Sequence, residues 1–106
     1  MNRLQPELGE VVASVTNDTD TFVLLANAAK RYAIPTGAVY INISCTKAGL
    51  WVKFGDNAVT AVVGVADVTD GTGSILDPTI RRLDGGVTHV SLINSAACEG
   101  SIEWFS

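Results

Sequence analysis

The residues able to do chemistry are few here, and they stand apart. His89 is the only histidine, so a Ser-His-Asp or metal-histidine scheme must use it. Nucleophilic catalysis needs a base held against a hydroxyl or thiol and oriented by a third group. The run VTHVSLI around His89 has no nucleophile elbow and no local orienting group, and strand alternation places His89 on one face with Val87, Ser91 and Ile93. A structural or surface role is expected for it. Asp67, Asp70 and Asp77 lie around two glycines in DVTDGTGSILDP, and calcium favours several oxygen ligands. The spacing D-x-x-D-G-x-G departs from the EF-hand run, no Glu follows at the needed offset, and turn chemistry explains the same letters. DGTGS lacks the lysine of a phosphate-binding loop and does not open a helix. Neither a metal nor a cofactor is expected. Of the four glutamates, Glu99 and Glu103 fall on or beside the last strand, and Glu7 and Glu10 fall at the N-terminus. Glycoside hydrolysis needs two carboxylates across a cleft, and a small sandwich has little material for one. No catalytic residue is assigned, and no small-molecule substrate is expected.

Cys45 and Cys98 are the only cysteines, and their spacing matches no zinc or redox pattern. With no secretory signal, both are expected to be reduced, buried or half-buried thiols. A disulfide formed after release from the cell is the alternative. The remaining charged feature is Arg81-Arg82, beside an Asp-Gly-Gly turn in RRLDGGVTHVSLI. Consecutive strand residues point to opposite faces, so the pair cannot make one basic patch. One arginine is expected to brace a nearby loop, and the other to contact a neighbouring subunit.

The totals bound what can position these groups. The chain has 106 residues, 47% hydrophobic and 17% charged, with net charge −4. That is one domain, less charged than the roughly 25% of an average soluble chain. Small domains bury a lower fraction of their surface, so association with copies of itself or with a larger partner is expected. The basic residues are scattered except for Lys30-Arg31 and Arg81-Arg82, and nothing tracks a nucleic-acid backbone. MNRLQPELGE lacks the apolar region of a signal peptide, and AVTAVVGVA at 58–66 is too short to span a bilayer. No membrane association is expected.

Strand signals recur between clusters of Gly, Asn, Asp, Thr and Pro, the rhythm of a sandwich or barrel. An N-terminal arm at 1–9 and a single β-sandwich domain at 10–106 are expected. The first strand is EVVASVT at 10–16, followed by a turn at 17–20. TFVLLANA at 21–28 is apolar on both faces and is expected to be covered on both. Ile34-Pro35-Thr36-Gly37 is a turn. In AVYINISC, Val39, Ile41, Ile43 and Cys45 point inward and Tyr40, Asn42 and Ser44 outward. In LWVKFG, Leu50, Val52 and Phe54 point inward, leaving Trp51 and Lys53 outside. An outward Trp51 either covers a neighbour or anchors an interface, where Trp is enriched. AVTAVVGVA reads as a fifth strand, with Gly64 marking a bulge or a close backbone approach. The stretch 67–78 is a long loop, TIRRL and VTHVSLI form a hairpin about the Asp-Gly-Gly turn, NSAACEG is a connection, and SIEWF is the last strand. The fold class is all-β, an antiparallel, jelly-roll-like β-sandwich of seven or eight strands.

WVKFGDNAVTAV, the Gly/Thr/Asp loop with its Asp77-Pro78, RRLDGGVTHVSLI and SIEWF together resemble the small β-sandwich virion proteins of tailed bacteriophages. The likeness covers Pro35 to Phe105 and rests on order and texture; Cys98 departs from it. The resemblance implies a non-enzymatic structural protein of the virion, made in the host cytoplasm, that decorates or cements the capsid. Its implied partners are the major capsid protein or other virion proteins and copies of itself, as a trimer or a larger ring. A tail or head-fibre base component is the nearer alternative. A carbohydrate-binding jelly roll, with Trp51 and Tyr40 as stacking residues, is the alternative from another class. The interface candidates are Trp51, Tyr40, Arg81 and Arg82.

Overall fold

The computed structural model describes residues 18–106. The arm at 1–9 and the strand at 10–16 lie outside the described residues. Within them the chain has no helix and eight strands. These are β1 (Thr19–Leu24), β2 (Lys30–Ala33), β3 (Tyr40–Cys45), β4 (Leu50–Gly55), β5 (Ile75–Leu76), β6 (Arg81–Arg82), β7 (His89–Asn94) and β8 (Cys98–Phe105). They form two four-stranded sheets, ordered β1-β8-β3-β6 and β2-β7-β4-β5. Every pairing is antiparallel. β1 pairs with β8, β2 with β7, β3 with β6 and β4 with β5. This nesting is what results when one long antiparallel hairpin is folded over into two sheets, and in that sense the sandwich is jelly-roll-like.

Period-2 alternation builds the core between the sheets. The first sheet contributes Phe22, Leu24, Ile41, Cys98, Ile102 and Trp104, and the second contributes Leu50, Val52, Val90 and Leu92. Of the expected core, Ile41, Leu50 and Val52 are fully enclosed, Ile43 and Phe54 pack against the cluster at its margin, and Val39 is half-buried just before β3. Trp104 is buried, and its indole Nε1 donates to Asp20 Oδ2 at 2.9 Å, so the ring's one polar group is satisfied. The turn at 34–37 is present: Ala38 N donates to Pro35 O at 3.2 Å, with Gly37 at φ 89°.

Four expectations are corrected. Of the turn expected at 17–20, Thr19 and Asp20 are instead strand residues that pair with Glu103 and Ile102. The stretch from Thr21 is not covered on both faces: Phe22 and Leu24 are buried, whereas Val23 is 59% and Leu25 69% exposed. The arginines and VTHVSLI are not a hairpin, since β6 joins the first sheet and β7 the second, and the Asp-Gly-Gly turn carries the chain between them. AVTAVVGVA is not a strand. Residues 56–74 form an irregular connection from β4 to β5, here called the strap. Two elements also extend the expected set: KRYA forms the edge strand β2, and Cys98–Gly100 belongs to β8.

Candidate functional site

The two sheets present different outer faces. Trp51, Lys53, Ser91, Ile93, Arg31 and Leu76 project outward from the second sheet by register, and the strap crosses over them. Its first turn is set by Asp56, whose side chain accepts from Ala58 N at 2.9 Å and whose carbonyl accepts from Val59 N at 3.1 Å. Val59 packs so closely on β4 that a Cβ at Gly55 would lie 2.9 Å from it. Arg31 Nε then donates to Val59 O at 2.6 Å, and its Nη2 to Thr60 Oγ1 at 3.2 Å. Ala61 N donates to Ser91 Oγ at 2.8 Å, a bond sealed from solvent with both residues 1% exposed. Farther along, Val62 N donates to Ser74 Oγ at 3.1 Å and Lys53 Nζ to Thr72 O at 2.8 Å. Gly64 lies against the Trp51 ring, where a Cβ would meet Cη2 at 2.5 Å. Close approach is therefore the role of that glycine, and Trp51 covers a neighbouring segment.

Beyond Ala61 the strap's apolar side chains turn outward. Val62 is 63%, Val65 86% and Val68 55% exposed. Together with Trp51, Thr72 and Ser74 they line a cleft of about 490 Å³. Leu76, exposed and directly opposite Trp51 on β5, extends the same apolar rim. Single exposed apolar residues need no explanation; here several stand around one aromatic ring.

The first sheet's outer face is a different surface. Tyr40 stands opposite Arg82 on one side and Phe105 on the other. Next to this row Asn42 Nδ2 donates to Glu103 at 2.7 Å. Glu99 and Glu103 lie on this face four residues apart, roughly 13 Å along the strand, too far for the carboxylate pairs of glycoside hydrolysis.

The structure does not gather the four interface candidates. Trp51 lies under the strap and Tyr40 on the opposite side of the sandwich, so the two cannot form one stacking platform. Arg82 shares the outer face with Tyr40, while Arg81 sits opposite inward-pointing Ile41 at the sheet edge. Both are exposed, and among the described residues neither guanidinium has a hydrogen-bond partner. The arginine that braces a loop is Arg31. Its position in a short edge strand, facing outward opposite Ser91, is a tertiary fact that the pair Lys30-Arg31 does not announce.

His89 is half-buried, and its Nδ1 lies 2.9 Å from Thr88 Oγ1, its one hydrogen-bond partner among the described residues. The loop aspartates act in turns. Asp70 accepts from Thr72 N at 3.1 Å and from its hydroxyl at 2.7 Å, and these bonds hold its carboxyl below the usual range. Asp77, at φ 44°, accepts from Gly49 N at 3.0 Å and Leu50 N at 2.9 Å, fixing the start of β4. Among the described residues, no three His, Cys, Asp or Glu side chains are arranged to hold a metal ion. Cys98 is buried, Cys45 is half-buried, and both are free thiols.

Compared with known proteins, the chain matches no family model, no curated protein and no solved structure. The strapped face and the open face therefore carry the functional reading by themselves.

Proposed function

We propose that this protein is a non-enzymatic assembly component that works by protein–protein contact, with the strap surface as its contact site. The observation that carries the proposal is the apolar rim of Val62, Val65, Val68 and Leu76 around Trp51. The strap is latched to the sheet by Arg31, Ser91 and Lys53, so the rim is presented on a backbone held in place, which reduces the entropy lost on association. The low charge of the chain favours the same reading. The partner is first a second copy of the chain in a closed ring, a trimer by preference, since closed symmetry is the rule for homo-oligomers.

Within that class, the resemblance of the WVKFGDNAVTAV, RRLDGGVTHVSLI and SIEWF segments to phage virion proteins leads us to propose capsid decoration or cementing, with a tail or head-fibre base as the nearer variant. Nested eight-strand sandwiches occur among viral capsid proteins and also among lectins, and fold alone does not decide between them. The lectin variant retains only Tyr40, with Phe105 and Arg82, on the open face. The test is light scattering on the eluting protein, together with co-sedimentation on empty capsids and on tails. The proposal expects a closed oligomer, or a monomer that binds one of these particles, with either behaviour lost in Val65→Asp. A monomer that binds neither particle refutes it, and glycan binding abolished by Tyr40→Ala transfers the function to the open face.

A further inference from the structure

The inner face of the first sheet holds two thiols, Cys98 within the core and Cys45 packed against its margin. Cys45 ends β3 opposite Gly100, and Cys98 begins β8 opposite Leu24, so the cysteines sit on adjacent strands, diagonally offset. Their Sγ atoms are 3.1 Å apart. The backbone beside them is held in ladder geometry by Thr46 N donating to Glu99 O at 2.9 Å. Gly100 lets the two strands approach closely, because a Cβ there would collide with Ser44 O and lie 3.0 Å from Cys45 Cα. We propose that Cys45 and Cys98 are a disulfide-forming pair that locks β3 to β8, with Cys45 as the attacking thiol and Cys98 as the resolving one.

A disulfide needs its sulfurs at about 2.05 Å, so a side-chain shift of about 1 Å closes this pair while the strands stay registered. Access sets the order of events. Cys45 is half-buried, in a shallow depression bounded by Ser44, Thr46, Gly100 and Ser101, whereas Cys98 is fully enclosed. Burial and the neighbouring Cys45 push the Cys98 thiol up to about 11, which makes Cys98 the poorer first nucleophile. The side-chain amide of Asn94, at the end of β7, is buried as well. The same amide donates to Lys47 O at 3.3 Å and Ala48 O at 3.4 Å, so it is anchored to the β3–β4 turn.

The oxidant is a low-molecular-weight disulfide. Cys45 thiolate attacks one of its sulfurs, the small S–S bond breaks, and one small thiolate departs, leaving a mixed disulfide on Cys45. Cys98 gives its proton to solvent and attacks Cys45 Sγ, expelling the second small thiolate. Two protein thiols are oxidised, and one small disulfide is reduced to two thiols. The product ties the two inner strands of the first sheet across a separation of 53 residues. This inference does not depend on the assembly reading.

The test is incubation of the reduced full chain with oxidised glutathione, followed by intact mass, free-thiol titration and thermal melting. The expected result is loss of both thiols, a monomer lighter by two hydrogens with no adduct, and a melting midpoint higher by about 10 °C or more. Cys98→Ser should accumulate a stable glutathione adduct on Cys45, while Cys45→Ser should acquire one only slowly. Two persistent thiols, a stable wild-type adduct, crosslinking between chains, or a midpoint that does not rise overturns the proposal. An adduct that forms faster in Cys45→Ser overturns the order of attack. None of these readouts uses oligomer size or particle binding, so failure here and failure of the proposed function remain separate results.

Discussion

Replacing Ser91 with alanine removes a single oxygen and tests whether the strap is fixed by buried hydrogen bonding. Ser91 Oγ accepts from Ala61 N at 2.8 Å, and both residues are 1% exposed. In Ser91→Ala that N–H keeps no partner and no water, and an unsatisfied buried group costs about 1–3 kcal/mol. For a domain of this size each kcal/mol is about 4–8 °C in melting midpoint. The control is built in: Ser74 Oγ accepts from Val62 N at 3.1 Å in an exposed setting. Water replaces the lost acceptor in Ser74→Ala, so that variant should stay within about 0.5 kcal/mol of wild type. Urea unfolding of the three proteins, followed by circular dichroism, measures the contrast. A Ser91→Ala loss below about 0.5 kcal/mol, or an equal loss in Ser74→Ala, refutes the claim that burial makes this bond the anchor.

The remaining predictions concern single contacts. Gly100→Ala drives a Cβ into Ser44 O and to 2.6 Å from Phe22 Cζ; it should cost about 3 kcal/mol or more in urea unfolding, as overpacking against backbone does. Arg31→Ala frees the Val59 carbonyl and Thr60 hydroxyl and should speed proteolytic cleavage within 56–74, whereas Arg82→Ala should leave cleavage and melting unchanged. The folded state holds the Cys98 proton more tightly than the unfolded chain, its thiol being raised from 9.0 to about 11. Its stabilisation is therefore complete below pH 9 and is lost as pH rises through about 11. The reduced wild type should lose stability across that window more steeply than Cys98→Ser. Tyr32, raised by burial and then by Asp20, acts in the same direction in both proteins.

Regular elements with one buried face were legible in the sequence. In β3 and β4 the alternation of Ile41 and Ile43 with Tyr40 and Asn42, and of Leu50 and Val52 with Trp51 and Lys53, matches the observed faces, because a one-residue slip would exchange core for solvent. The strap misled for a physical reason. Its valines do not pair in a ladder; Val59 and Ala61 cover the outer face of a sheet, and Val62, Val65 and Val68 point to solvent. An apolar run of that length reads as a strand unless the face it covers is known. β2 was invisible because four edge residues beginning Lys-Arg carry no strand pattern, and its Arg31 acts only through partners 28 and 29 positions away. The closeness of Cys45 and Cys98 depends on the β3–β8 register, which no spacing rule encodes.

The rim around Trp51 is proposed to hold copies of this chain together or to seat them on a particle. Sedimentation velocity of the wild type and of Val65→Asp, alone and mixed with empty capsids or with tails, is the test. Val65 is 86% exposed, so the substitution leaves the core untouched and the two proteins should melt alike. The wild type should sediment as a closed oligomer, or with the capsid or the tail, and Val65→Asp as a free monomer. Identical sedimentation of the two proteins in every one of these conditions contradicts the proposal.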